Sequence, residues 1–239
     1  MDRQVSSAQN RRGFLQTTAS GILLFMSSAV FAEELMKTPR LTEGPFYPDK
    51  MPLDRDNDLI IIGKSITPAI GEVTHLSGRV LDVTGSPIKN ALVEIWQCDA
   101  HQVYLHTTDS LPKAAQRDKN FQGYGKFETD SKGRYLFRTI KPVPYPGRPA
   151  AHIHFKVSKG GRELLTTQLM VRGLAGNKSD GVYMSAGDSI DRELILADFK
   201  KKKDSKIGEL SANFDIIVGR TPDENAFMPA NHANSHSHA

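Results

Sequence analysis

The sequence predicts an all-β protein: a β-sandwich of mostly antiparallel strands with long loops and an irregular N-terminal arm. Short segments that alternate apolar and polar residues recur from residue 71 onwards, and this is the period of a half-buried strand. Turn residues such as Gly-Ser-Pro separate these segments, whereas helical periodicity is confined to a turn or two near residues 189–199. Short strands separated by turns are typical of a sandwich.

The first 32 residues have the features of an export signal. Arg11 and Arg12 precede a short apolar run, residues 21–32 (GILLFMSSAVFA), which ends in small residues. This run is shorter than the roughly 20 apolar residues needed to span a bilayer. The pattern predicts a twin-arginine signal that is cleaved after Ala32. We therefore expect a periplasmic or secreted protein with no stable membrane insertion after cleavage.

Composition divides the rest of the chain into three parts. Residues 33–70 are rich in prolines and acidic residues and predict an irregular arm. Residues 71–220 contain the predicted strands and form the sandwich domain. Within them, GKFETDSKGRYLFRTI is predicted to be a hairpin whose turn is residues 130–133. Residues 221–239 form a polar, His-rich tail.

Charge and cysteine content exclude several classes of protein. The formal net charge is +4 and falls to about +2 once the signal is removed, because residues 1–32 carry three arginines and one aspartate. The basic residues are not interleaved with aromatic ones, and the run Lys200–Lys203 is best explained as a solvated cluster, so no nucleic-acid partner is expected. The single cysteine, Cys98, excludes an intramolecular disulfide.

Two histidines mark a candidate metal site on a predicted strand, AHIHFKV. Residues two apart on a strand share a face, so His152, His154 and Lys156 point one way. The intervening Ile153 and Phe155 point into the core. Two neighbouring imidazoles on a rigid strand can supply half of a metal site, although an H-x-H pair is also common as a purely structural feature.

Two tyrosines extend this candidate site, Tyr145 shortly before the histidines and Tyr104 farther upstream. A phenolate is a hard, anionic oxygen donor, and together with two imidazoles it suits a hard trivalent ion better than zinc or copper(I). Ordinary packing with an exposed hydroxyl is the competing interpretation of each tyrosine, and composition alone does not choose between them.

The order of six motifs resembles a known family. LTEGPFYPD, VEIWQCDA followed by Tyr104, FQGYG, TDSKGRYLFRTIKP, the stretch from Tyr145 to HIHF, and LTTQL occur in the order found in intradiol ring-cleavage dioxygenases. The chain looks most similar to the protocatechuate 3,4-dioxygenase and catechol 1,2-dioxygenase group, and the resemblance covers residues 40–218. Members of this family fold as β-sandwiches.

The resemblance implies a non-haem iron(III) enzyme that cleaves the ring of a small aromatic diol with O2 between its two hydroxylated carbons, giving a cis,cis-muconate-type diacid. It implies that Tyr145 leaves the iron and takes up a substrate proton, that Arg148 stabilises developing charge, and that the chain assembles as a homo-oligomer. Tyr47 and Gln168 are implied to bind the substrate. Tyr47 matches a substrate-pocket position of some family members, and Gln168 matches a position that surrounds the metal ligands. The implied iron ligands are Tyr104, Tyr145, His152 and His154.

One departure from the family pattern concerns Arg148. In the better-known enzymes the arginine precedes the first histidine by three residues, whereas here Pro149 holds that place and Arg148 lies four before His152. A shift of one residue on a strand reverses the face of a side chain, although a bulge can restore it. The sequence therefore leaves open whether Arg148 faces the iron.

Two other classes of protein remain open at this stage. The stretch GRVLDVTGSPIKNALVEIW is also similar to exported transthyretin-like β-sandwich binding modules, which have no catalysis. A periplasmic zinc or copper carrier could use His152 and His154 with the histidines of the tail. The complete set of two tyrosines and two histidines distinguishes the dioxygenase from both alternatives. A binding module needs none of these residues, and a carrier leaves the two tyrosines unexplained.

Overall fold

The computed structural model describes residues 34–110 and 112–219, so the predicted signal and the His-rich tail lie outside the described residues. The described chain is built mainly of strands, with short helices between them, including a 3-10 helix at Ala175–Ser179. None of its helices is long and apolar enough to cross a membrane. The strands and α-helices are β1 (Val73–Leu81), β2 (Leu92–Trp96), α1 (Thr107–Ser110), β3 (Tyr124–Glu128), β4 (Arg134–Ile140), β5 (His152–Lys159), β6 (Arg162–Val171), α2 (Gly181–Met184), α3 (Ser189–Glu193), β7 (Leu196–Ala197), β8 (Lys200–Lys201), β9 (Leu210–Asn213) and β10 (Ile216–Ile217).

The strands form two five-stranded sheets, which confirms the all-β prediction. One sheet follows the pairing path β10-β1-β9-β8, and β4 also pairs with β1. The second sheet has the order β3-β2-β5-β6-β7. Among the described residues, five of the eight strand pairs are antiparallel, and the short strands β7, β9 and β10 make the parallel ones. Both sheets are therefore mixed.

The predicted hairpin between β3 and β4 was wrong. Its turn is present, since the backbone N–H of Gly133 donates to the carbonyl of Asp130 at 2.9 Å. However, β3 pairs with β2 and β4 pairs with β1, so the two strands belong to different sheets. The turn moves the chain from one sheet to the other, because each strand finds its partner in a segment distant in sequence.

The core lies between the two sheets and fixes the orientation of β5. Ile153, Phe155 and Val157 are fully buried in it, as the alternation along this strand predicted. The opposite face of β5 consequently carries His152 and His154. The core thus holds the histidine-bearing strand from behind through Ile153, Phe155 and Val157.

Residues 34–72 contain no helix or strand and consist of turns, bends and irregular stretches. Backbone hydrogen bonds attach this arm to both sheets: the N–H of Leu41 donates to Thr166 of β6 at 3.0 Å, and the N–H of Leu59 donates to Arg138 of β4 at 2.8 Å. Between these two points, Gly44 of the arm lies next to the ring of His154 on β5.

Candidate metal centre

Two histidine rings of β5 converge on the hydroxyl of one tyrosine. His152 and His154 are each 1% exposed, and their ring centroids lie 4.8 Å apart. The Nε2 atom of His152 is 3.3 Å from the hydroxyl oxygen of Tyr104, and the Nε2 atom of His154 is 3.1 Å from it. Three donor atoms from two distant segments of the chain therefore meet at one point.

Tyr104 lies in the long loop after β2, and buried carboxylates fix its backbone. The N–H of Tyr104 donates to Asp109 at 2.8 Å, and the N–H of Val103 donates to Asp99 at 2.9 Å. The side chain of Tyr104 is 1% exposed, and Phe46 of the arm stacks on its ring with centroids 4.9 Å apart. The tyrosine is held from both sides before any ligand binds.

Tyr145 is the fourth member of the group and the most accessible one. It lies in a tight turn, because the backbones of Tyr145 and Arg148 exchange hydrogen bonds of 3.1 and 2.9 Å. Gly147 has φ +87° within this turn, a conformation that favours glycine. The Tyr145 ring lies edge-on to Tyr104 and tilted towards His152, with centroids 5.4 and 5.6 Å apart. All four predicted ligands are thus brought together.

Different contacts orient the two imidazoles. His152 donates from Nδ1 to the carbonyl oxygen of Ala150 at 2.6 Å, so its Nε2 carries a lone pair when the ring is neutral. Trp96 stacks on His154 with centroids 4.8 Å apart and planes 11° apart. The Nδ1 atom of His154 is buried and has no hydrogen-bond partner among the described residues. Packing against Trp96 therefore takes the place of a hydrogen bond at the Nδ1 atom of His154.

Burial keeps all four side chains neutral in the metal-free protein. It lowers the pKa of His152 to about 4, with a further contribution from the positive charge of Arg148. Burial likewise places the pKa of His154 well below its ordinary value and that of Tyr104 well above its own. The pKa of Tyr145 is also raised by burial, although hydrogen bonding to Tyr104 and the charge of Arg148 oppose this rise.

Arg148 faces the site, which answers the question left open by its offset from His152. Strand parity does not apply to it, because β5 begins only at His152 and Arg148 belongs to the preceding turn. Its guanidinium donates from Nε to Asp180 at 2.9 Å and from a terminal nitrogen to Gln168 at 2.7 Å. Its backbone is hydrogen-bonded to that of Tyr145, and its positive charge opposes the rise in the pKa of Tyr145 and lowers the pKa of His152, so the guanidinium lies near the four converging side chains.

Gln168 is fully buried, and both ends of its side chain are occupied. Its amide oxygen accepts from Arg148, while its amide nitrogen donates to the carbonyl of Thr42 at 2.8 Å. It is also the partner of His154 in the pairing of β5 with β6. Gln168 therefore connects the arm, Arg148 and the histidine strand.

Tyr47 packs against Trp96, the residue that stacks on His154. Its ring is edge-on to Trp96 with centroids 5.0 Å apart, and its hydroxyl donates to Glu94 at 2.8 Å. Glu94 is buried and also accepts from Tyr124 at 2.5 Å, and Lys156 sits over the Tyr47 ring at 3.8 Å. The direct role of Tyr47 in substrate binding stays a prediction.

Sequence reasoning missed three residues that support this site: Phe46, Trp96 and Asp180. Phe46, a residue of the arm, stacks on Tyr104 and lies edge-on to Tyr145, and Trp96 pairs with His154 across the β2–β5 ladder. The period-2 pattern of VEIW could have located Trp96, because it places Trp96 and Glu94 on one face of β2. Asp180 had no comparable signal, since it lies in an irregular stretch.

The donor set fits a single metal ion. Ligands bound at about 2.0–2.1 Å around one ion lie about 3.0–3.4 Å from one another, and the 3.1 and 3.3 Å separations observed here fall in that range. Within the described part of the chain, no group of three or more His, Cys, Asp and Glu side chains could hold a metal. The tyrosines therefore complete the set and favour a hard, trivalent ion.

Comparison with known proteins defines the class to which this fold and site belong. A family described as dioxygenase matches residues 42–219. The protocatechuate 3,4-dioxygenase beta chain of Burkholderia cepacia is 35% identical over 172 residues, 68% of this chain and 71% of that protein. Catechol 1,2-dioxygenase 2 of Acinetobacter lwoffii is 31% identical over 153 residues, 57% of this chain and 52% of that protein, so the chain spans about half of that relative.

A solved structure agrees with these matches. It is the dioxygenase domain of a dioxygenase carbohydrate-binding protein fusion from Streptomyces sp. SirexAA-E, with a TM-score of 0.57 and 26% identity. The match covers 77% of this chain and 99% of that domain. The class is therefore that of the dioxygenases, which are oxidoreductases. Within it, the chain belongs to the intradiol ring-cleavage dioxygenase family. This membership disfavours the transthyretin-like binding module.

Proposed function

We propose that this protein uses iron(III), held by Tyr104, Tyr145, His152 and His154, to cleave a catechol-type diol with O2 between its hydroxylated carbons. The convergence of two histidine nitrogens on the Tyr104 hydroxyl, within 3.3 Å, is the observation that carries this proposal. When bound, iron(III) acts as a Lewis acid that orients a diol and draws electron density from its ring. Both atoms of O2 then end in a diacid product.

Tyr145 is the residue best placed to accept a proton from the diol. It is only partly buried, whereas Tyr104 is almost fully enclosed, so Tyr145 is the phenol that can leave the centre without opening the core. A proton taken from a substrate hydroxyl would reside on the Oη atom of Tyr145. Arg148, which belongs to the same turn as Tyr145, would stabilise negative charge there and on the bound diol.

The aromatic side chains around the centre exclude water. Phe46 covers Tyr104, and Trp96 covers His154, both at stacking distance. A water-poor surrounding strengthens the interaction of the guanidinium with a charged diol. It also limits side reactions of an activated ring with solvent.

The test of this function is oxygen uptake by the iron-loaded protein with a panel of diols: catechol, protocatechuate, hydroxyquinol and chlorinated catechols. We expect one O2 consumed per diol, a diacid rather than an aldehyde, and both atoms of 18O-labelled O2 in the product. The purified iron form should be red-brown, because tyrosinate-to-iron(III) charge transfer absorbs visible light. Iron-loaded protein that binds a diol or a sugar but consumes no O2 with any of them would favour a binding module.

We further propose that the chain is exported by the twin-arginine route, on the basis of Arg11, Arg12 and the apolar run that follows them. Replacing both arginines by lysine should retain the protein in the cytoplasm with its signal uncleaved. Cell fractionation measures this. Unchanged export of the double variant would show that another route is used.

A further inference from the structure

Asp180 is a buried carboxylate at the start of α2, next to the proposed iron site. Its side chain is fully inaccessible to solvent and accepts four hydrogen bonds, two on each oxygen. Oδ1 caps α2, accepting from the N–H groups of Val182 and Tyr183 at 2.9 and 3.1 Å. Oδ2 faces the opposite way, towards the turn that precedes β5.

The Oδ2 atom holds two groups of that turn. It accepts from the Nε of Arg148 at 2.9 Å and from the backbone N–H of Ala150 at 3.2 Å. An arginine has five donors in a rigid planar fork, so fixing Nε on one carboxylate and a terminal nitrogen on Gln168 leaves the guanidinium one orientation. Because Arg148 and Tyr145 belong to the same hydrogen-bonded turn, that orientation holds the positive charge next to Tyr145.

The contact with Ala150 extends to the histidine strand. The carbonyl oxygen of Ala150 accepts from the Nδ1 of His152 at 2.6 Å, which keeps the proton on Nδ1 and leaves the lone pair of Nε2 free to bind a metal. The N–H and the carbonyl of Ala150 are therefore both used, one by Asp180 and the other by His152. A displaced Ala150 would turn the His152 ring.

We propose that Asp180 is a positioning residue for the iron site: it sets the Arg148 guanidinium towards Tyr145 and, through Ala150, the orientation of His152. Its effect on turnover rests on the function proposed above, whereas its effect on the two side chains does not. The competing explanation is that Asp180 serves only as a helix cap. Asp188 is the natural comparison, because it caps α3 with hydrogen bonds to Ile190 and Asp191 and lies away from the site.

The isosteric substitution Asp180→Asn separates the two roles. An amide has one accepting oxygen and one donating nitrogen, so the substituted side chain can keep the cap only by pointing its NH2 group at the donors of Arg148 and Ala150. In Asp188→Asn the cap survives, because both of its hydrogen bonds go to the single atom Oδ1. Both variants therefore lose a charge at an N-cap, and only one breaks contacts to the site.

The first measurement uses metal-free protein and nuclear magnetic resonance. We expect the wild type and Asp188→Asn to show a slowly exchanging Nε–H of Arg148 and the Nδ1–H tautomer of His152. Asp180→Asn should speed exchange of the arginine proton at least about tenfold, as expected when a buried charge-assisted hydrogen bond is lost. An unchanged Arg148 exchange rate and an unchanged His152 tautomer in Asp180→Asn would overturn the proposal.

The second measurement uses iron-loaded protein. We expect Asp180→Asn to lower kcat about 10- to 100-fold, the loss typical of partners that orient a ligand, to change KM less, and to shift the charge-transfer band. Asp188→Asn should match the wild type in all three. A kcat, KM and charge-transfer band of Asp180→Asn equal to those of Asp188→Asn would reduce Asp180 to a cap.

Two arrangements keep the result decisive. If Asp180→Asn does not fold, Asp180→Ser replaces it, because serine is a good N-cap residue but is too short to reach Arg148. If wild-type protein loaded with iron consumes no O2 with any diol, the proposed function fails. The exchange rate of Arg148 and the tautomer of His152 then still decide whether Asp180 positions them.

Discussion

The indole of Trp96 lies parallel to the imidazole of His154, 4.8 Å away, and the two residues are direct partners in the β2–β5 ladder. This stacking contact is important for the orientation of His154, because the Nδ1 of His154 has no hydrogen-bond partner in the described part of the chain. The orientation of His154 therefore depends on close packing, from Trp96 on one side and from the arm on the other. Adding a single atom beside the ring of His154 should therefore disturb the site.

Gly44 of the arm is the first such case. It has φ +73°, and a Cβ added there would lie 3.3 Å from Cε1 of His154. We expect Gly44→Ala to lower stability by about 1 kcal/mol through backbone strain and to reduce iron affinity about tenfold by displacing the ring. Gly63→Ala is the matched control, since Gly63 has φ +57° and no atom within 4 Å of the added Cβ. Equal iron affinity in the two variants would contradict the packing role.

Removal of ligands gives the second prediction. We expect Tyr104→Phe and the double variant of His152→Ala with His154→Ala to retain less than about a tenth of the wild-type iron, because each loses donors that the buried strand cannot replace. Elemental analysis of purified protein measures this. His75→Ala serves as the control, because His75 is 40% exposed, is paired with Glu209 and lies on β1 of the other sheet. A full iron load in the double variant would refute the site assignment.

Arg148 gives the third prediction. Arg148→Ala should reduce kcat by about 10²-fold or more, the usual loss of a group that stabilises transition-state charge, while most of the iron is retained. Arg134→Ala is the matched control: Arg134 forms an exposed ion pair with Asp130, and its loss should leave kcat unchanged. Oxygen uptake per iron separates the two effects. A parallel fall of iron content and kcat in Arg148→Ala would mean that the arginine acts only on metal binding.

The fourth prediction concerns metal-free protein in acid. The pKa of His152 is lowered to about 4 by burial and by Arg148, whereas the unfolded chain titrates near 6.5. Between these values the unfolded chain binds a proton that the folded chain does not, so stability is full above pH 6.5 and is lost as the pH falls to 4. The loss from this residue is about 3 kcal/mol. Urea unfolding across this range measures it.

The control for this pH dependence is His152→Asn, which removes the titrating ring. The variant should be less stable near neutral pH but should lose less stability between pH 6.5 and 4 than the wild type does. The same pH slope in both proteins would show that other groups are responsible. Iron-loaded wild type should resist acid better, because a bound ion that favours the folded state adds to its stability.

The sequence predicted those features that depend on strand periodicity. The face carrying His152 and His154 followed from alternation with Ile153 and Phe155, which the structure buries in the core. The reversal at residues 130–133 followed from local turn chemistry, but the hairpin did not form. Turn residues determine where a chain reverses, whereas the pairing of β3 with β2 and of β4 with β1 depends on contacts distant in sequence.

Other parts of the site had no local signal. The direction of the Arg148 side chain could not be predicted from the alternation of a strand, because Arg148 lies in a turn closed by Tyr145. Tyr47 lies behind Trp96 because the buried Glu94 captures its hydroxyl, and nothing near residue 47 indicates that partner. Asp180 meets Arg148 across 32 positions, so only tertiary structure reveals the contact.

The distance along the chain between the converging donors has a consequence for when metal can be bound. Tyr104 lies 48 and 50 positions from the two histidines whose nitrogens it meets. Closing such loops costs conformational entropy that an unfolded chain does not recover from one ion. The donors come together only when the loop after β2 packs against β5, so we expect tight binding to follow the assembly of the sheet that contains β5. Metal occupancy of this chain would therefore report that the loop after β2 has folded onto β5.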